Sequence, residues 1–138
     1  MRTLLVVLAM ALVELGGWQE TPKPAEEKAA GEGKKAAAAK LENPVKATAD
    51  SIAAGKKSYG VDCAMCHGKE GAGDGDLAAD MKLKLKDYRD PAVLKDMTDG
   101  EMYDIILKGK GQMTGEEGRL KDTQIWNVVN YVRSMAKK

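Results

Sequence analysis

Cys63-Ala64-Met65-Cys66-His67 reads C-x-x-C-H, the spacing through which haem is attached covalently to a polypeptide. Two thiols three positions apart can add across the two vinyl groups of a porphyrin. A histidine directly after the second thiol can turn its imidazole onto the iron. Competing readings of the same residues need partners that the flanking sequence does not offer. A structural zinc site takes about four Cys or His ligands, and Cys63, Cys66 and His67 are all the cysteine and histidine in the chain. A thioredoxin-like dithiol pair expects β-branched strands in a βαβ order nearby, and that pattern is missing. A simple disulfide stays open for an exported chain.

Working outward toward the N-terminus, residues 1–17 read as a secretory signal peptide. Arg2 precedes an apolar run from Leu4 to Val13, and Gly16 and Gly17 supply small residues after it. The run is far shorter than the roughly 20 residues of a membrane-spanning helix. Glu14 and Leu15 break an A-x-A cleavage pattern, so the boundary is placed at Gly17 and an uncleaved tether remains an alternative. No cysteine stands near the run to carry a lipid. Residues 18–48 are Ala, Lys, Glu, Pro and Gly with few large apolar side chains. Such a composition buries too little surface to offset its ordering entropy, and it reads as a flexible linker. Residues 49–138 are left as the folded domain. Their 15 Lys/Arg balance 15 Asp/Glu, which argues against a nucleic-acid partner. The chain has no phenylalanine, so a bound haem would add apolar surface to a thin core.

Helical spacing dominates this domain, and convincing strand alternation is absent. A first helix is expected over 49–60, with Ile52, Gly55, Lys56 and Tyr59 on one face. Gly68 to Asp76 is dense in Gly and Asp and reads as a loop with positive-φ positions. A short helix is expected near 77–85, and Asp90-Pro91 marks a turn or another short helix. Thr98-Asp99-Gly100-Glu101 matches the S/T-x-x-E capping box. It opens a helix through Lys108 that Gly109 and Gly111 end. A last helix over 122–136 carries the apolar stripe Ile125, Val128, Val129 and Val132.

His67 being the lone histidine, a second axial ligand would be methionine, lysine or absent. Beyond the leader, Met65, Met81, Met97, Met102, Met113 and Met135 are available. Met65 lies inside the attachment loop, and Met97, Met102 and Met135 fall in or beside helices, where methionine fills core. Met113 follows Gly109-Lys110-Gly111-Gln112 in an extended loop, a common setting for ligands. It ranks ahead of Met81.

These residues taken together resemble the small class I cytochromes c of bacteria over 49–138. The likeness rests on Gly55 and Tyr59, on Cys63-x-x-Cys66-His67-Gly68, and on Gly71-x-Gly73-Asp74-Gly75. It continues through Thr98 to Glu101, Gly109 to Met113, and Gln124 to Arg133. It implies an all-α cytochrome c fold, about four short helices around one covalent haem. It also implies that the first and last helices cross, Gly55 and Tyr59 against Val128 and Tyr131, and that Met113 is the distal ligand. Two departures stand out. Thr114 follows Met113 where the family often has proline, and Lys82-Leu83-Lys84-Leu85-Lys86 replaces prolines after the attachment loop. The carbonyl that would accept from His67 Nδ1 is therefore unassigned. Tyr88, Arg89 and Trp126 are candidates to meet the haem propionates, beside ordinary surface or core roles.

The function expected on this basis is a periplasmic one-electron carrier, not an enzyme, with His67 and Met113 holding the iron. Lys108 and Lys110 would help it dock, as a monomer without stable membrane insertion, on membrane or periplasmic redox complexes. Two alternatives are a haem subunit of a larger oxidoreductase and a gas- or peroxide-reactive haem with an open sixth position.

Overall fold

Thr48 starts helix α1 (Ala49–Asp62) with a reciprocal cap. Its side chain accepts from Ser51 N–H at 3.2 Å while the Ser51 hydroxyl accepts from Thr48 N–H at 3.0 Å. At the other end Cys63 N–H donates to Tyr59 O, and α2 (Ala64–His67) follows at once. The computed structural model describes Gly33 and residues 35–136; the expected signal peptide at 1–17 and linker residues 18–32 and 34 lie outside them. The described chain continues with α3 (Asp76–Asp80), α4 (Pro91–Leu94), α5 (Asp99–Lys108), a two-stranded hairpin of β1 (Gly109–Lys110) and β2 (Met113–Thr114), and α6 (Asp122–Met135). The protein is mostly helical. The hairpin leaves no alternation in the sequence, because two-residue strands carry no period.

α1 crosses α6 at Gly55. A Cβ there would stand 2.0 Å from Asn127 O and 2.9 Å from Tyr131 Cβ, so only glycine lets the backbones approach this closely. The crossing thus meets Asn127 and Tyr131, with Tyr59 edge-on to Tyr131 at 5.2 Å between ring centroids. Ile125, Val128, Val129 and Val132 are all buried, as their spacing requires. In place of phenylalanine, Tyr103 of α5 stacks on Trp126 of α6 at 4.2 Å. The Tyr103 hydroxyl donates to Asp122 Oδ1 at 2.8 Å, which gives the polar tip of a buried ring its partner.

Local signals place the other ends. Thr98 and Glu101 form the capping box of α5, and Asp90 accepts from Ala92 N–H to start α4 with Pro91 in its first turn. The helix expected over 77–85 is only α3, Asp76–Asp80, because Lys82 turns to φ 54. Arg133 of α6 reaches back to Asp99 Oδ1 and Leu94 O, both at 2.8 Å, and to Met97 O. It thereby fixes the segment between α4 and α5.

Residues 35–48, assigned to the linker by composition, lie against this framework. Residues 35–39 are helical and Ala38 is buried, its carbonyl in the space that a side chain at Gly100 would fill. Asn43 Nδ2 donates to Asn130 Oδ1 at 2.8 Å, and Asn130 Nδ2 to Val45 O at 3.0 Å. A small residue and two amides bury little area, so hydropathy alone does not register the contact.

Candidate functional site

Between α1, α5, the hairpin and α6 lies a cavity that encloses about 70 Å³ and opens partly to solvent. Tyr59, Cys63, His67 and Tyr88 line it together with Leu94, Met97, Met102, Ile105, Ile106, Met113, Val128 and Val132. The lining is overwhelmingly apolar. Cys63, His67 and Met113 therefore share one cavity, whereas Cys66 is half-buried outside that lining.

The attachment stretch is held by its own backbone. The Tyr59 hydroxyl donates to Gly68 O at 3.0 Å. Gly73 N–H donates to His67 O at 2.8 Å, and Gly75 N–H to Cys66 O at 3.1 Å. The Gly/Asp-rich loop thus folds back on the turn that precedes it, passing through positive φ at Gly68, Gly71 and Gly73. Cys63 and Cys66 are not joined to each other in a disulfide. Burial, with Asp62 and Glu116 adding to it, pushes the Cys63 thiol up to about 12.

His67 is stacked on Tyr88, ring centroids 5.1 Å apart. Its Nδ1 is buried with no hydrogen-bond partner among the described residues. Burial also lowers its pKa from 6.5, which favours the neutral imidazole, the form that ligates metal. Tyr88 in turn is fixed by its N–H, which donates to Gly71 O at 2.7 Å.

Met113 sits in β2 opposite Lys110 of β1. The two residues between them begin with Gly111 at φ 61, where a II′-type hairpin turn takes glycine. Beyond the hairpin, Glu116 and Glu117 N–H donate to Ile106 O and Leu107 O, both at 3.0 Å, pinning the segment to α5. Among the other methionines, Met97 and Met102 also line the cavity. Met81 and Met65 are exposed outside it, and Met135 packs against Gly71.

Residues considered for an outer role divide clearly. Tyr88 reaches the cavity, Arg89 holds Asp87 through two bonds of 2.8 and 2.7 Å, and Trp126 belongs to the core. Lys108 pairs with Asp104, while Lys110 is exposed. Glu116 is a buried carboxylate beside Cys63. No sequence signal marks it, since Glu116-Glu117 reads as surface.

Two thiols three residues apart, an imidazole directly after them and an apolar cavity also lined by thioethers fit a thioether-linked haem. The cytochrome c family model matches residues 52–136. The chain belongs to the cytochrome c family. This cytochrome carries covalently bound haem c with its iron and moves electrons on it. It is 30% identical over 138 residues to cytochrome c6 of a Synechococcus species, covering all of this chain and 96% of that one. The c-type cytochrome KustC0563 shares the fold, with a TM-score of 0.54 at 24% identity over 60% of this chain and 98% of that one. A chain from the reducing HAO-like protein complex Kustc0457/Kustc0458 of Kuenenia stuttgartiensis superposes with a TM-score of 0.59. That match is 28% identical and covers 72% of this cytochrome and 49% of that chain.

Proposed function

We propose that this cytochrome is a periplasmic one-electron carrier whose haem is bonded to Cys63 and Cys66 and held between His67 and Met113. The observation that carries the reading is that Cys63, His67 and Met113 line one apolar cavity. Bound there, haem supplies an iron that accepts and releases one electron. His67 offers an imidazole nitrogen, which binds metal in its neutral form. Met113 offers a soft thioether that favours the ferrous state and raises the potential relative to a second histidine. Leu94, Ile105, Ile106, Val128 and Val132 exclude water, and the hydrogen-bonded frame around residues 66–75 keeps the proximal ligand still in both oxidation states.

Export rests on the leader at 1–17, and no described helix is long and apolar enough to cross a membrane. The partners are membrane or periplasmic redox complexes met transiently by a monomer. Lys110 is available for such encounters, whereas Lys108 is already paired with Asp104. Steering is therefore weak, and rates with a partner fall only modestly as salt rises.

The test is a pyridine haemochrome spectrum and a redox titration of protein purified from a host that matures c-type cytochromes. One haem c per chain, resistant to acid–acetone extraction and titrating as a one-electron couple, is the expected result. Haem that extracts from the wild-type protein contradicts the attachment. A second reading, a haem subunit of a larger oxidoreductase, draws on the likeness to a chain of a multi-protein complex. Isolation of the native protein in a stable stoichiometric assembly would favour it.

A further inference from the structure

We propose that Arg119 is a positioning residue for the distal ligand, clasping the loop that follows Met113 to the residue that precedes Cys63. Arg119 Nη2 donates to Asp62 Oδ1 at 3.0 Å, and its Nη1 stands 3.4 Å from Glu116 Oε2. Asp62 is the last residue of α1 and Glu116 is three residues beyond Met113. One guanidinium therefore spans the attachment side and the Met113 side of the cavity. The inference rests on the reading that Met113 is the axial ligand.

Exposed ion pairs contribute little, but this one is asymmetric. The arginine side chain is 60% exposed while those of Asp62 and Glu116 are 11% and 7% exposed. Glu116 Oε2 makes no hydrogen bond among the described residues, so its nearest compensation is the arginine's charge. Asp62 directly precedes Cys63, which sets this end of the clasp at the attachment edge. Removing the guanidinium would leave two withdrawn like charges uncompensated, and repulsion in a poorly solvated place is strong. The loop has little stiffness with which to resist. Its hairpin strands are two residues each, Gly118 stands at φ 77, and Thr114 follows Met113. The backbone bonds of Glu116 and Glu117 tie the loop to α5, and Arg119 ties it to α1.

An incoming ligand competes with Met113, so loosening the loop should show as easier displacement. Imidazole is titrated into the oxidised holoprotein while the near-infrared sulfur-to-iron band is followed. Arg119→Ala should tighten apparent imidazole binding about tenfold, and Arg119→Lys should recover most of the wild-type value. Arg119→Ala/Glu116→Gln should also recover it, because the repulsion is gone. Wild-type imidazole affinity in Arg119→Ala overturns the clasp, and failure of the double variant to recover overturns its electrostatic basis. Met113→Ala, run in parallel, separates the two ideas. If that variant keeps the band, the ligand assignment itself fails; if it loses the band while Arg119→Ala behaves as wild type, only the clasp fails.

Discussion

On the attachment side of the cavity, the Tyr59 hydroxyl and the N–H groups of Gly73 and Gly75 converge on the backbone of residues 66–68. On the Met113 side, two strands of two residues and a bridging guanidinium do the holding. The first wall is made of contiguous sequence, closed by short-range hydrogen bonds and set on the tight crossing of α1 and α6. The second is assembled from residues brought together by the fold, with polar groups at its edge. A carrier gains from this division. If His67 and Met113 are the ligands as proposed, the one beside the attachment is fixed, and the thioether rests on a loop whose hold can be adjusted.

The largest expected effect comes from the crossing that supports both walls. Gly55→Ala puts a methyl group 2.0 Å from Asn127 O, and forcing the helices apart should cost about 3 kcal/mol. In a domain of this size that lowers Tm by roughly 12 to 24 °C. A calorimetric drop of only a few degrees would mean that the crossing is softer than drawn. Tyr59→Phe acts on the attachment wall alone, removing a buried donor while Gly68 O keeps its bond from Gly71 N–H at 3.1 Å. Guanidinium unfolding should register about 1 kcal/mol lost. No loss would contradict the bracing assigned to that hydroxyl.

The contact between α5 and α6 offers a pH test. Burial, and then the hydrogen bond to Asp122, push the Tyr103 phenol from 10.0 up to about 12. The unfolded chain therefore gives up this proton first as pH rises, so the stabilising contribution is complete below pH 10 and is lost on the way to 12. Tyr103→Phe should flatten the alkaline fall in unfolding free energy by on the order of 1 kcal/mol. Parallel pH profiles for the two proteins would refute the assignment. The smallest expected effect is at Gly111→Ala, which meets open space but inherits φ 61. The strain is about 1 kcal/mol, and it should appear as easier displacement of Met113 by imidazole more than as a lower Tm. An unchanged imidazole affinity would show that the turn does not bear on the ligand.

What could be read from the sequence follows the same division. The C-x-x-C-H stretch, the capping box at Thr98 and Glu101, and the stripe from Ile125 to Val132 are local patterns, and the helices they imply are present. Long-range polar contacts leave no such pattern. Asn43 and Asn130 pair across 87 positions, and Arg119 finds Asp62 across 57. The helix expected to reach residue 85 stops at Asp80 because Lys82 takes a positive φ of 54, a backbone choice that no side-chain pattern in Lys82 to Lys86 announces. Met113 stood out only because glycines flank it. That those glycines build a hairpin depends on pairing that two-residue strands cannot announce.

The identity of the distal ligand tests the account most directly. Near-infrared spectra of the oxidised wild-type protein, Met113→Ala and Met81→Ala should show the weak sulfur-to-iron band in the first and third and not in the second. A band that survives in Met113→Ala, or disappears in Met81→Ala, would contradict a haem held between His67 and Met113.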